Sequence, residues 1–204
     1  MFIMAKEPEV TFTNAPEGVH VARCYRVIAL GTQPNPMGDP RPKIMISWEL
    51  PNALQDTGEP YVISEFYTLS LYEKANLRKH LEAWRGRAFT VEELAGFEVG
   101  NILGVPCQLQ ILHETKTEGK TYANIKSLMA VPAGLHVPEL SNELIYFSLH
   151  PDHFSLETFK KLSEGLQAKI QQSPEWVTAN HPTYQQAPIN SVDAAAEEPE
   201  VVLF

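Results

Sequence analysis

Between Leu69 and Leu71 the apolar period of this chain changes from two residues to that of a helix, and at Pro106 it changes back. That double switch limits the architecture more than any single motif does. Three strand-like runs precede it. Gly18 to Leu30 is rich in Val and Ile and stops at Gly31. Lys43 to Leu50 places Ile44, Ile46, Trp48 and Leu50 on one face and Lys43, Ser47 and Glu49 on the other, and Pro51 ends it. Tyr61 to Leu69 alternates Tyr61, Ile63, Tyr67 and Leu69 with Ser64, Phe66 and Thr68. Residues 31–42, GTQPNPMGDPRP, carry four prolines and two glycines and read as a loop.

Leu71 to Trp84 reads as a helix with Leu77, Leu81 and Trp84 in one stripe and Gly86 as a left-handed cap. Thr90 and Glu93 form the capping box of a short second helix. Pro106–Thr115 and Thr121–Val131 then make a hairpin about residues 117–120. Three strands, a helix and two strands is the order of the oligonucleotide-binding (OB) fold, a five-stranded barrel with a helix between strands three and four. A small β-sandwich is the competing architecture, but it needs no mid-chain helix. The expectation is a mainly β chain: an OB-fold barrel, an appended C-terminal helix and a disordered acidic tail.

Its expected division is an N-terminal extension over 1–15, a nucleic-acid-binding domain over 16–134, an irregular segment and helix over 135–172, and a linker and tail over 173–204. The helix has Ser155 as its cap and Leu156, Phe159, Leu162, Leu166 and Ile170 as its stripe, and it ends before Pro174. From Gln171 onward the chain is polar and interrupted by prolines, as a linker is.

With 204 residues, 44% of them apolar, the chain is long enough for a proper core. No run reaches the roughly 18 apolar residues of a membrane span. The opening Met1-Phe2-Ile3-Met4 is too short for a signal-peptide core. Cys24 and Cys107 sit in apolar runs and read as buried free thiols. The net charge of −9 argues against nucleic acid until its distribution is considered. Residues 136–204 hold 3 basic and 10 acidic side chains, whereas residues 71–89 hold Lys74, Arg78, Lys79, Arg85 and Arg87 against Glu73 and Glu82. A local patch, more than the global charge, governs phosphate binding.

Binding a single strand takes a cationic groove and flat rings on which bases stack. The candidates are Arg23, Tyr25 and Arg26 on the first strand, Lys43 and Trp48 on the second, Phe66 and Tyr72 on or after the third, Lys74 and Arg78 on the helix, and Lys116, Lys120, Tyr122 and Lys126 on the last hairpin. Trp48 and Tyr67 share faces with Ile44, Ile46 and Ile63, so core packing competes with stacking for them; Tyr122 and Tyr72 are the preferred stacking rings. The helix cations compete with the reading of an ordinary solvated face. His150-Pro151-Asp152-His153 lacks a third metal ligand nearby. There is no CxxC, no phosphate-binding glycine loop and no GxSxG elbow. No catalytic residue, metal or cofactor is expected.

The last fifteen residues hold Asp193, Glu197, Glu198 and Glu200, no Lys or Arg, and end Val201-Val202-Leu203-Phe204. An acidic stalk with an apolar tip resembles the tail of bacterial and phage single-stranded DNA-binding proteins, although no proline precedes Phe204 and the acids are sparse. LRKHLEAWRGRAFT (Leu77–Thr90), GKTYANI (Gly119–Ile125) and SPEW (Ser173–Trp176) resemble a family of tailed-phage replication-region proteins of that kind, over roughly Gly18 to Trp176. The resemblance implies a barrel and a role in phage DNA replication or recombination, in the cytoplasm of the infected bacterium. It implies a non-enzymatic protein that coats single-stranded DNA. It also implies that phage or host replication or recombination proteins are recruited through Glu197, Glu198, Glu200, Leu203 and Phe204. No membrane partner is expected, and homo-oligomerisation is left open. The alternatives are a protein-binding adaptor or host-factor inhibitor on the same barrel, and, more remotely, a metal-dependent nuclease.

Overall fold

The computed structural model describes residues 13–36 and 38–179. Its element order is β1 (Gly18–Asn35), β2 (Gly38–Leu54), β3 (Pro60–Thr68), α1 (Asn76–Arg85), α2 (Val91–Ala95), a 3₁₀ turn (Val99–Ile102), β4 (Pro106–Thr115), β5 (Thr121–Met129), β6 (Ile145–Phe147), a second 3₁₀ turn (Pro151–His153), α3 (Leu156–Lys160), α4 (Glu164–Gln171) and α5 (Pro174–Ala179). The strands form one six-stranded, mainly antiparallel sheet in the order β3-β2-β1-β4-β5, with β6 parallel to β1. The helix between the third and fourth strands is present. The sheet is not closed: among the described residues no ladder joins β3 to β5. No helix of these residues is long and apolar enough to cross a membrane.

β1 is the hub of the sheet. Its first part pairs with β4, its remainder with β2, and Arg26–Ile28 also pair with Ile145–Phe147 of β6. Tyr25 falls where the β1–β2 register shifts, between Cys24↔Trp48 and Arg26↔Ser47. Such a bulge changes which alternate side chains face which side. Ala22, Cys24 and Val27 therefore lie in one core, while Ile28 and Leu30 lie in the other.

The first core fills the inner face. Ile44, Ile46, Trp48 and Leu50 of β2 meet Leu77, Leu81 and Trp84 of α1 there. The Trp48 and Trp84 rings lie 6.0 Å apart, and Trp84 Nε1 donates to the Pro106 carbonyl at 2.8 Å. Gly86 ends α1 at φ 68°, and Thr90 and Glu93 complete the capping box of α2. Burial pushes the Cys24 thiol up to about 12 and raises that of Cys107 as well. The second core covers the outer face, where Ile28, Leu30 and Met45 pack under Phe147, Phe159, Leu162, Leu166 and Ile170. A sheet buried on both faces explains why β1 and β2 are so continuously apolar.

Several expected boundaries move. The expected loop over 31–42 is the end of β1 and the start of β2, with Thr32 opposite Pro42 and Gln33 opposite Arg41. Pro51 does not end β2, which runs on to Leu54. The single C-terminal helix is two, α3 and α4, because Ser163 begins a new helix. The expected linker from Ser173 is helical as far as Ala179.

That last segment is fastened to β1. Glu175 accepts hydrogen bonds from the Thr32 backbone N–H (2.9 Å) and hydroxyl (2.5 Å). Trp176 lies on Phe159, with ring centroids 4.2 Å apart. Gly31, at φ +70°, leaves room for Ser173: a Cβ there would come within 2.3 Å of the Ser173 Oγ.

Candidate nucleic-acid interface

Residues 43 and 45 of β2 and 66 and 68 of β3 share the outer face, with Lys43 opposite Thr68 and Met45 opposite Phe66. The C-terminal helices cover Met45 but leave the Phe66 ring 50% exposed. Beyond Thr68 the chain leaves the sheet, and Tyr72, 62% exposed, and Lys74 stand in front of α1. Between these parts lies a cleft of ≈ 500 Å³. Its cationic lining is Arg41, Lys43 and Lys74, and its aromatic lining is Phe66, Tyr67 and Tyr72. No carboxylate lines it. The floor is tied to α1: the hydroxyl of the buried Tyr67 is hydrogen-bonded to His80 Nδ1 at 2.8 Å. Burial lowers the His80 pKa, which favours the neutral ring.

Four of the expected residues, Lys43, Phe66, Tyr72 and Lys74, meet in this cleft. The other nine do not line it. Trp48 is fully buried against Trp84 and cannot stack on a base. Tyr25 is buried too, with the Arg26 guanidinium 4.9 Å from its ring centre. Arg23 donates to the carbonyls of Gly104, Val137 and Pro138, so it holds chain segments together. Arg78 is paired to Glu82 at 2.9 Å and donates to the Leu71 carbonyl.

The basic run over 71–89 is neutralised further by acids from within the fold. Arg85 and Arg87 both bond Glu93; the bond from Arg87, then that from the Thr90 backbone N–H, then that from Arg85 hold the Glu93 carboxyl down to about 2. Arg85 also lies against the rings of Phe89 and Phe97, 4.5 and 5.2 Å from their centres.

Lys116, Lys120, Tyr122 and Lys126 are all exposed on the β4–β5 hairpin. The Lys116 ammonium stands 4.7 Å above the Tyr122 ring, a cation–π pair. This is a separate aromatic and basic cluster, and none of its members lines the cleft. Glu197, Glu198, Glu200, Leu203 and Phe204 lie outside the described residues.

Arg41 is the cleft residue that sequence reasoning missed. Its signal was the spacing of two to Lys43, hidden because the flanking Pro40 and Pro42 read as a loop. Glu49 was also missed as a structural group. Fully buried, it accepts from the backbone N–H groups of Ser141 and Asn142, both at 2.8 Å, and from the Asn142 side chain at 2.6 Å. It thereby anchors the irregular segment leading to β6. Among the described residues no three His, Cys, Asp or Glu side chains are grouped as a metal site requires. Compared with known proteins, the chain matches no family model and no curated protein.

Proposed function

We propose that this chain binds single-stranded DNA along the β2–β3 cleft. It is a non-enzymatic coating protein of phage replication or recombination, working in the infected bacterial cytoplasm and recruiting partners through its acidic C-terminus. The observation that carries the reading is the cleft's lining: three cations, no carboxylate, and two exposed rings, Phe66 on β3 and Tyr72 in front of α1. Cations track a phosphate backbone, and exposed rings stack bases of any identity. The position supports it as well. Strands two and three form the binding face of OB-fold proteins, and a helix between the third and fourth strands is what that fold calls for. The barrel itself is part of the proposal.

Fluorescence anisotropy with labelled oligo-dT and its duplex, at several salt concentrations, tests this. The expected result is binding that favours the single strand and falls steeply with salt, since each neutralised phosphate releases counterions. No anisotropy change with oligo-dT at low salt and micromolar protein sinks the proposal. The adaptor reading would then take its place. What favours that reading is the pairing of Arg78, Arg85 and Arg87 with acids of the fold itself.

A further inference from the structure

Lys43 and Phe66, which line the cleft, also line a second concavity of ≈ 350 Å³. Its opposite wall is Leu30, Gln33 and Pro34 of β1 together with Lys169 and Gln172 at the end of α4. No carboxylate lines this compartment either. The Lys169 and Gln172 side chains are exposed and make no hydrogen bond or ion pair with the described residues. The wall is fixed in place. The buried Gln33 amide donates to the Leu30 carbonyl at 2.7 Å and the Lys169 carbonyl at 2.9 Å, tying the end of α4 to β1. The Thr32–Glu175 bonds hold the next turn of chain.

We propose that α4 is the second wall of one continuous groove. A single strand then passes from Lys74 and Tyr72, over Phe66, to Lys169 and Gln172. The inference rests on the nucleic-acid reading above. Lys169 supplies a fourth cation for the phosphate backbone, and the Gln172 amide, both donor and acceptor, meets polar base edges without demanding one base. The C-terminal helices are thus part of the binding surface, and a strand too short to cross Phe66 does not sense them.

The test uses the full chain and oligo-dT between about 4 and 16 nucleotides long, the span of known OB-fold site sizes. Anisotropy at several salt concentrations compares the parent with Lys74→Ala, Lys169→Ala and Lys169→Arg. Lys74→Ala should weaken binding at every length. Lys169→Ala should weaken only the longer oligomers and reduce their salt slope by about 1. Lys169→Arg, which keeps the charge, should restore both. Lys169→Ala without effect on the longest oligomer, beside a weakened Lys74→Ala, would end the groove at Phe66 and leave the nucleic-acid reading standing. An equal loss at all lengths would make Lys169 a general field and not a wall, and would also overturn the inference. No binding by the parent at any length would remove both readings.

Discussion

Phe66 and Trp48 are aromatic residues on neighbouring strands with opposite surroundings. Trp48 is fully buried beside Trp84, and Phe66 is half exposed between two concavities. Phe66→Ala should weaken oligo-dT binding by about 1–3 kcal/mol, the scale of one lost stack, and leave the melting temperature almost unchanged. Trp48→Ala should do the reverse, removing about 3–5 kcal/mol of stability through the cavity it leaves. Titration and thermal melts on both variants check this. A melting loss in Phe66→Ala as large as in Trp48→Ala would place the ring in the core. Strict alternation was enough to read Phe66 outward and Tyr67 inward. It failed at Tyr25, where the bulge shifts the alternation by one residue. No single sequence marks that position, so Tyr25 and Arg26 read as surface groups. Arg23 failed for another reason: the carbonyls that engage it come from residues 104, 137 and 138, distant in sequence.

At the level of elements, strands and caps with local causes could be read directly, and those made by distant partners could not. The left-handed Gly86 and the Thr90–Glu93 box are local signals and appear as expected. The helix at Pro174–Ala179 is only six residues long and opens on a proline within a polar, proline-interrupted stretch, so it reads as linker. Its order comes from Gly31, Thr32, Phe154 and Phe159. The clasp should respond to acid. Burial alone would raise the Glu175 pKa, but the bonds from the Thr32 hydroxyl and N–H, with those from its own N–H and the Ser173 hydroxyl, together outweigh it and leave the pKa below its usual 4.5. A depressed carboxyl contributes stability above the unfolded pKa and loses it as the pH falls through the lowered folded value. Trp176 emission should therefore shift towards that of exposed indole on acidification, while Glu175→Gln should show the shift already at neutral pH and little further change. Gly31→Ala should loosen the same helix, since a left-handed residue with a Cβ costs roughly 1–2 kcal/mol before the clash with Ser173 is counted. Trp176→Phe identifies the reporting ring. An acid-insensitive signal in the parent would rule out the clasp as a titrating contact.

For the whole molecule, charge and connectivity matter most. The excess acid lies in the C-terminal third, and four carboxylates fall in the last fifteen residues. Deleting 190–204 should tighten oligo-dT binding, most at low salt, because these acids and DNA phosphates are drawn to the same cations and salt screens both. Equal affinity of the shortened and full chains at low salt would remove the competition. Connectivity has a consequence for synthesis. β1 leaves the ribosome early, yet the residues that cover Ile28, Leu30 and Met45, from Phe147 to Ile170, are among the last described residues to emerge. Until then the nascent chain carries an open apolar strip on a sheet that has already found β2, β3, β4 and β5. Such a strip invites chaperones or self-association. A fragment stopped at residue 135 should therefore precipitate where the full chain stays dissolved, and the translation of this protein has its most vulnerable interval just before its final helices appear.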